Sequence, residues 1–206
     1  DSRYFLQFED VCKDTPVTLF KQSIPHAPEH VAWLTELLAA NSNIGLDYRQ
    51  FSKAQITYLQ SFTAQKNQQI TNCPHFAKTL WTDRPALPNF AVDIHPLEFS
   101  GETTASKLQK VQEVLKEKNA DYYLFSSLDE IAWLFNIRSR DVDFTPLVTA
   151  YALVGVTTTV LFCNTDRFNQ GALKAFQKLG IEVQNYDAIA TYCLLYTSPS
   201  PRDWLQ

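Results

Sequence analysis

The chain has 206 residues, 45% of them hydrophobic, with a formal charge of -4 and a pI near 5.5, the composition of a globular protein long enough to bury one or two cores. Acidic and basic residues are interspersed, which argues against nucleic acid or an anionic membrane as a partner. There is no apolar run of the roughly 20 residues that span a bilayer, and the first residues lack a basic-then-apolar leader pattern. Cys12, Cys73, Cys163 and Cys193 are widely spaced with no C-x-x-C pair, so they are expected to be reduced, mostly structural thiols of a cytosolic protein. Methionine is absent even at position 1, so the front of the chain is expected to be clipped.

In chain order, RYFLQF at 3–8 reads as a short aromatic strand, and 17–20, after Thr15-Pro16, as a second. Pro28 suits the first turn of a helix carrying Val31, Leu34, Leu37 and Leu38 on one side, ended by 41–43. Residues 44–46 form a strand, and Ser52 caps a second amphipathic helix with Ile56, Leu59 and Phe62. This alternation predicts an α/β layer. Pro74, Pro85 and Pro88 then stiffen an irregular connector, and the chain is expected to stay extended from 90 to 101, with Pro96 preventing a helix.

Residues 104–118 predict a helix with Leu108, Val111 and Leu115 as its apolar stripe and Lys107, Lys110, Glu113 and Lys116 facing water. DYYLF at 121–125 reads as a buried strand. It leads to Ser127-x-x-Glu130, a capping box for a helix whose stripe is Leu128, Ile131, Leu134 and Phe135, with Trp133 enlarging the buried surface. The helix must stop near Asn136. A polar loop follows, then strands at 150–154 and 157–162 forming a hairpin around Gly155, a helix at 168–179 closed by Gly180, and a strand at 181–183. CLLYTSPSPRDWLQ at 193–206 changes character. It resembles adapter or vector read-through and is expected to be a non-native tail, with a proline-directed phosphorylation segment as the alternative.

Chemistry-bearing constellations are sparse. His26 and His30 have i, i+4 spacing, but Pro28 places His26 ahead of the helix, so a surface pair is expected. His95 and Glu98 are separated by Pro96, and His75 lacks a third ligand nearby. There is no G-x-S-x-G and no glycine-rich phosphate loop.

Three ordered blocks carry a family resemblance: DSRYFLQ at 1–7; WTDRPALP at 81–88 followed by HPLEFSG at 95–101; and DEIAWLFNIR followed by a charged loop, an aromatic-x-Pro step and YALV. In this order they resemble the front part of the three-domain Xaa-Pro aminopeptidases, or aminopeptidase P, of the creatinase/prolidase superfamily, over nearly everything up to about residue 191. The resemblance implies an α/β fold of two creatinase/prolidase N-terminal-type domains, each a mixed sheet flanked by helices in a ribonuclease H-like layered arrangement. The expected division is 1–84, a proline-rich connector at 85–101, a second domain at 102–192, and the tail at 193–206.

The resemblance also implies that the chemistry lies in a third, pita-bread domain beyond this chain. There two Asp, one His and two Glu hold a pair of divalent ions, manganese or zinc, so no cofactor is expected to be bound by this chain and no catalytic residue is assigned to it. The implied activity of the parent is release of an N-terminal residue preceding proline, with this region shaping substrate access and contributing to dimer contacts in the cytoplasm. Implied partners are proline-containing peptides, the protein's own catalytic domain and a second copy. Arg138 and Asp141 match charged positions of the family's loop, at 136–146 here, which the resemblance makes the best candidate for a functional contact; they are the expected access or inter-domain residues, an Arg138–Asp141 lock or an inter-domain salt bridge being the structural alternative. Ser139 stands where the family has glycine and Arg140 where it has a small residue; if the glycine served a positive φ, Ser139 would strain the turn. The second functional reading is a binding platform of a non-enzymatic pita-bread relative.

Overall fold

The computed structural model describes residues 4–22, 29–74 and 76–197, and the chain divides into two units, Asp1–Pro85 and Ala86–Gln206.

The first unit is built on a β-α-β crossover. β1 (Asn43–Leu46) and β2 (Gln69–Asn72) pair in parallel with Ile44 opposite Ile70, and α3 (Lys53–Thr63) connects them. α2 (Glu29–Leu37) precedes the crossover and α4 (Phe76–Leu80) follows it. The start of α3 is as expected and goes further. The amide of Gln55 donates to Ser52 Oγ at 3.2 Å and the amide of Ser52 donates to Gln55 Oε1 at 2.7 Å, a complete capping box. Ser52→Ala should therefore cost the first unit about 1 kcal/mol, read as a lower urea midpoint with an unchanged denaturant slope. The end of α2 is held from outside the helix: Gln68 Nε2 donates to the carbonyls of Thr35, Leu38 and Ala39, and Lys66 Nζ to those of Thr35 and Glu36.

Two expected strands in this unit do not form. Residues 5–11 are a helix, α1 (Phe5–Val11), and 17–20 are irregular. A strand requires a partner edge, whereas a helix bonds within itself, as in the Cys12 amide donating to the Phe8 carbonyl at 2.8 Å. Among the described residues the sheet of this unit therefore consists of β1 and β2, both parallel.

The second unit contains β3 (Asp93–Ile94), α5 (Leu97–Ser100), α6 (Thr104–Glu117), β4 (Tyr122–Phe125), α7 (Leu128–Leu134), β5 (Ile137–Arg138), β6 (Tyr151–Gly155), β7 (Thr159–Phe162), α8 (Gln170–Lys178), β8 (Ile181–Gln184) and α9 (Ala188–Thr197). Its four-stranded mixed sheet has the order β4-β6-β7-β8, the first two pairings antiparallel and the last parallel. β3 and β5 form a separate antiparallel pair. One face of the sheet packs through Ala152, Val154, Leu161 and Ile181 against Leu108 and Leu115 of α6, Ile131 and Leu134 of α7, and Phe176 of α8. The other face, Leu153, Val160 and Phe162, packs against Ala188, Ile189 and Tyr192 of α9. This is a layered α/β unit.

Five expectations are corrected here. Pro96 does not prevent a helix: at φ -59 it sits just before α5, where a missing N–H costs nothing, and Gly101 at φ +71 closes the turn. The expected capping box at Ser127 is absent because its hydroxyl donates to Asp129 Oδ1 at 2.8 Å instead. Trp133 is 51% exposed, and Lys107, expected on the wet face, is only 1% exposed. β4 is apolar along its whole length yet exposed, because it is the edge strand of the sheet.

Candidate functional site

The loop expected to carry function at 136–146 lies in the segment 135–150 between α7 and β6, which is held at both ends by buried cations. At its start, Asn136 turns the chain out of α7 at φ +51, a left-handed conformation that asparagine tolerates better than most residues. Its side chain is bonded on both sides, Nδ2 donating to the Glu102 carbonyl at 2.8 Å and Oδ1 accepting from Lys107 Nζ at 2.7 Å. Lys107 Nζ also donates to the Trp133 carbonyl at 2.7 Å and lies 4.5 Å from the centroid of the Trp133 ring. Trp133 is thus half exposed because it roofs an ammonium. Burial pushes the Lys107 pKa below the ordinary lysine value, opposed by the nearby Glu102 carboxylate.

The second anchor is Arg167, on a single 3-10 turn at Thr165–Arg167. Its side chain is 3% exposed and that of its partner Asp141 is 0% exposed. Arg167 Nη2 lies 2.6 and 2.7 Å from the two Asp141 carboxylate oxygens, and Nε donates to the Phe90 carbonyl at 2.8 Å. The amide of Thr149 donates to Asp141 Oδ2 at 2.7 Å. Ser139 Oγ accepts from Arg167 Nη2 at 3.1 Å and lies within reach of both Asp141 Oδ1 and the Ala91 carbonyl. Burial alone would raise the Asp141 pKa, but the Thr149 amide, Arg167 and Ser139 together bring it below the usual carboxylate range. Cys163, 3.5 Å from Arg167 Nη1, has its thiol pushed up to about 11 by burial, which leaves it protonated and unreactive at neutral pH.

Between these anchors the loop projects its tip. Val142 bridges to Thr145, and Phe144 between them sits at φ +61 and is 106% exposed. A left-handed aromatic residue costs about 1–2 kcal/mol. Here the bonded frame beneath it, rather than packing of its own ring, holds that conformation.

The lock between Arg138 and Asp141, the structural alternative for this loop, does not occur. Arg138 Nη1 donates to the carbonyls of Ala132 and Ile137, tying β5 back to α7, and Asp141 belongs to Arg167. Ser139 is not in the left-handed region, so replacing glycine brings no strain there; its hydroxyl joins the buried network instead. Lys107 and Arg167 were missed in the sequence, since their partners lie 26 to 29 residues away and no local pattern marks them.

His26 and His75 lie outside the described residues. His30 is exposed, 3.4 Å from Gln22 Nε2, and the half-buried His95 packs against Phe99 rather than meeting Glu98 at a shared point. Among the described residues no three His, Cys, Asp or Glu side chains converge to hold a metal ion. These residues do not fit a metal centre, and no chemical step is assigned to them. No described helix is long and apolar enough to cross a membrane.

The geometry defines a layered α/β domain with a presented loop over a buried carboxylate–guanidinium pair, and comparison with known proteins agrees on the fold. A family model described as the creatinase/prolidase N-terminal domain matches residues 83–203. Aminopeptidase P1 of Arabidopsis thaliana is 32% identical over 95% of this chain and 30% of its own length, and aminopeptidase P1 of Lotus japonicus 31% identical over 92% and 29%. The crystal structure of a Caenorhabditis elegans X-prolyl aminopeptidase, described as a cytosolic enzyme with a di-nuclear active site, aligns over 95% of this chain and 32% of that one, with a TM-score of 0.81 and 27% identity. The chain belongs to the creatinase/prolidase N-terminal domain family and is homologous to the Xaa-Pro aminopeptidases. It spans about 30% of the length of the curated relatives it matches.

Proposed function

We propose that this chain is the non-catalytic front region of a metal-dependent aminopeptidase that releases an N-terminal residue preceding proline. The observation that carries the reading is the alignment of 95% of this chain with only 30% of an aminopeptidase P, joined to a set of described residues that offers no metal-ligand cluster. In this scheme a pair of divalent ions, manganese or zinc, is held by polypeptide outside this chain and supplies an acidified water. The loop at 135–150 narrows access to that centre. Phe144 and the exposed Arg140 form its working edge, and Asp141 and Arg167 act as positioning residues beneath it. The protein works in the cytoplasm on proline-containing peptides.

Two measurements test this. The purified 206-residue chain, supplied with manganese or zinc, should release no amino acid from an Xaa-Pro-Yaa peptide, and measurable turnover would overturn the assignment. In the longer polypeptide that this reading requires, Phe144→Ala should raise KM by about fivefold, the equivalent of one aromatic contact worth about 1 kcal/mol, with kcat unchanged. An unchanged KM would remove the loop tip from substrate access.

A further inference from the structure

The first residues of the second unit are stitched to it through their backbone. Residues 81–87 are exposed and 84–91 form no regular element, but from Phe90 onward consecutive main-chain groups are bonded. The Phe90 carbonyl accepts from Arg167 Nε at 2.8 Å, and the Ala91 carbonyl lies 3.0 Å from Ser139 Oγ. The Val92 amide donates to the Arg167 carbonyl at 2.8 Å, within a parallel bridge to Phe168. β3 then pairs with β5, and the His95 amide donates to the Asn136 carbonyl at 2.7 Å. Side-chain packing adds little here: Val92 is buried, whereas Phe90 and Ile94 are 53% and 42% exposed.

One side chain holds both this segment and the loop. Arg167 Nε faces the Phe90 carbonyl, Nη2 faces both carboxylate oxygens of Asp141 and the Ser139 hydroxyl, and Nη1 lies 3.5 Å from the Thr149 carbonyl. The guanidinium is planar and rigid, so its donors cannot follow two segments that move apart. Its side chain is 3% exposed, so solvent does not replace a bond that is lost.

We propose that Arg167 makes connector residues 90–92 and loop residues 139–149 a single opening unit, so that a shift of the connector is passed to the loop. Pro85 and Pro88 stiffen the chain just ahead, and a displacement imposed at its front therefore reaches Phe90 instead of being absorbed. The coupling stands on the second unit alone; only its meaning for substrate access rests on the peptidase reading, in which the connector sets how far the loop narrows the entrance.

Hydrogen exchange of the 206-residue chain in low urea should give the Val92 and Thr149 amides, bonded to the Arg167 carbonyl and to Asp141, one opening free energy and one urea slope, both below those of the β6 and β7 amides. Two distinct openings overturn the proposal. Val92→Ala loosens the connector without altering a loop residue, and it should quicken both amides by the same factor of about ten while β6 and β7 stay slow. With Arg167→Lys also in place, the compact ammonium cannot bond Phe90 and Asp141 together, and Val92→Ala should then quicken the amide at position 92 alone. A Thr149 amide indifferent to Val92→Ala overturns the coupling, and equal quickening of β6 and β7 overturns it by making the connector part of the whole core. A Thr149 amide that still responds beside Arg167→Lys shows that the coupling does not run through Arg167. Should Arg167→Lys fail to fold, the comparison of openings in the unaltered chain still decides.

Discussion

Arg167→Leu should destabilise the second unit by about 3–5 kcal/mol, the cost of leaving one member of a buried ion pair without its partner. The argument depends on what Asp141 would lack. Its carboxylate is fully enclosed, and without Arg167 it would keep the Thr149 amide and the Ser139 hydroxyl but face no positive charge. The Phe90 carbonyl would also lose the donor that Arg167 Nε supplies. Replacing both charges, as in Asp141→Asn with Arg167→Leu, removes the uncompensated anion and should recover part of the loss, so the two effects should not add. The same pair sets an acid limit. The folded pKa of Asp141 lies below its unfolded value of about 3.9, so its contribution is complete above that value and disappears as pH falls through the folded pKa. Urea midpoints measured across the acid range should fall less steeply for Asp141→Asn than for the unaltered chain. An Arg167→Leu midpoint equal to that of the unaltered chain would show that the pair carries no stability.

How much of this could be read in advance depends on distance along the chain. Ser52 and Gln55 stand three residues apart and make the bonds their spacing offers. The stripe Leu108, Val111 and Leu115, the hairpin around Gly155 and the closure of α8 before Gly180 are equally local, and all are present. Local spacing misleads where a nearer partner competes: the Ser127 hydroxyl turns to Asp129 two residues on, so the box with Glu130 never forms. It also misleads where a strand needs an edge, which is why residues 5–11 coil into a helix and why YYLF, apolar enough for a central strand, lies at the border of its sheet. The loop is the place of interest because it resembles a charged segment of the family, but the alternative pairing Arg138–Asp141 is replaced by Arg167–Asp141 across 26 residues. A charged side chain does not announce whether its stem will run into a core, and Lys107 looked like its neighbours Lys110 and Lys116 until Trp133 and Asn136 were placed over it.

Lys107 therefore supports the second large prediction: Lys107→Met should cost about 2 kcal/mol and Lys107→Ala about 1–2 kcal/mol more. Two opposing effects set the first figure. The substitution relieves the desolvation of an ammonium that is 1% exposed, but it strands the Trp133 carbonyl and leaves Asn136 Oδ1 without its donor, each worth about 1–3 kcal/mol when buried. Alanine adds the loss of the packed methylene stem and opens a cavity beneath the Trp133 ring. Because burial lowers the folded pKa of Lys107 below the unfolded value of about 10.4, the unfolded chain binds more protons between those two values, and stability gains from this group as pH rises through that interval. The stability of Lys107→Met should lack that alkaline gain. The functional consequence reaches Asn136, whose left-handed turn launches the loop: with Oδ1 unanchored, amide exchange at 136–145 should quicken while that of β6 and β7 stays slow. If exchange quickens equally throughout the sheet, Lys107 supports the whole core and not the loop, and the division of labour between the two buried cations is wrong.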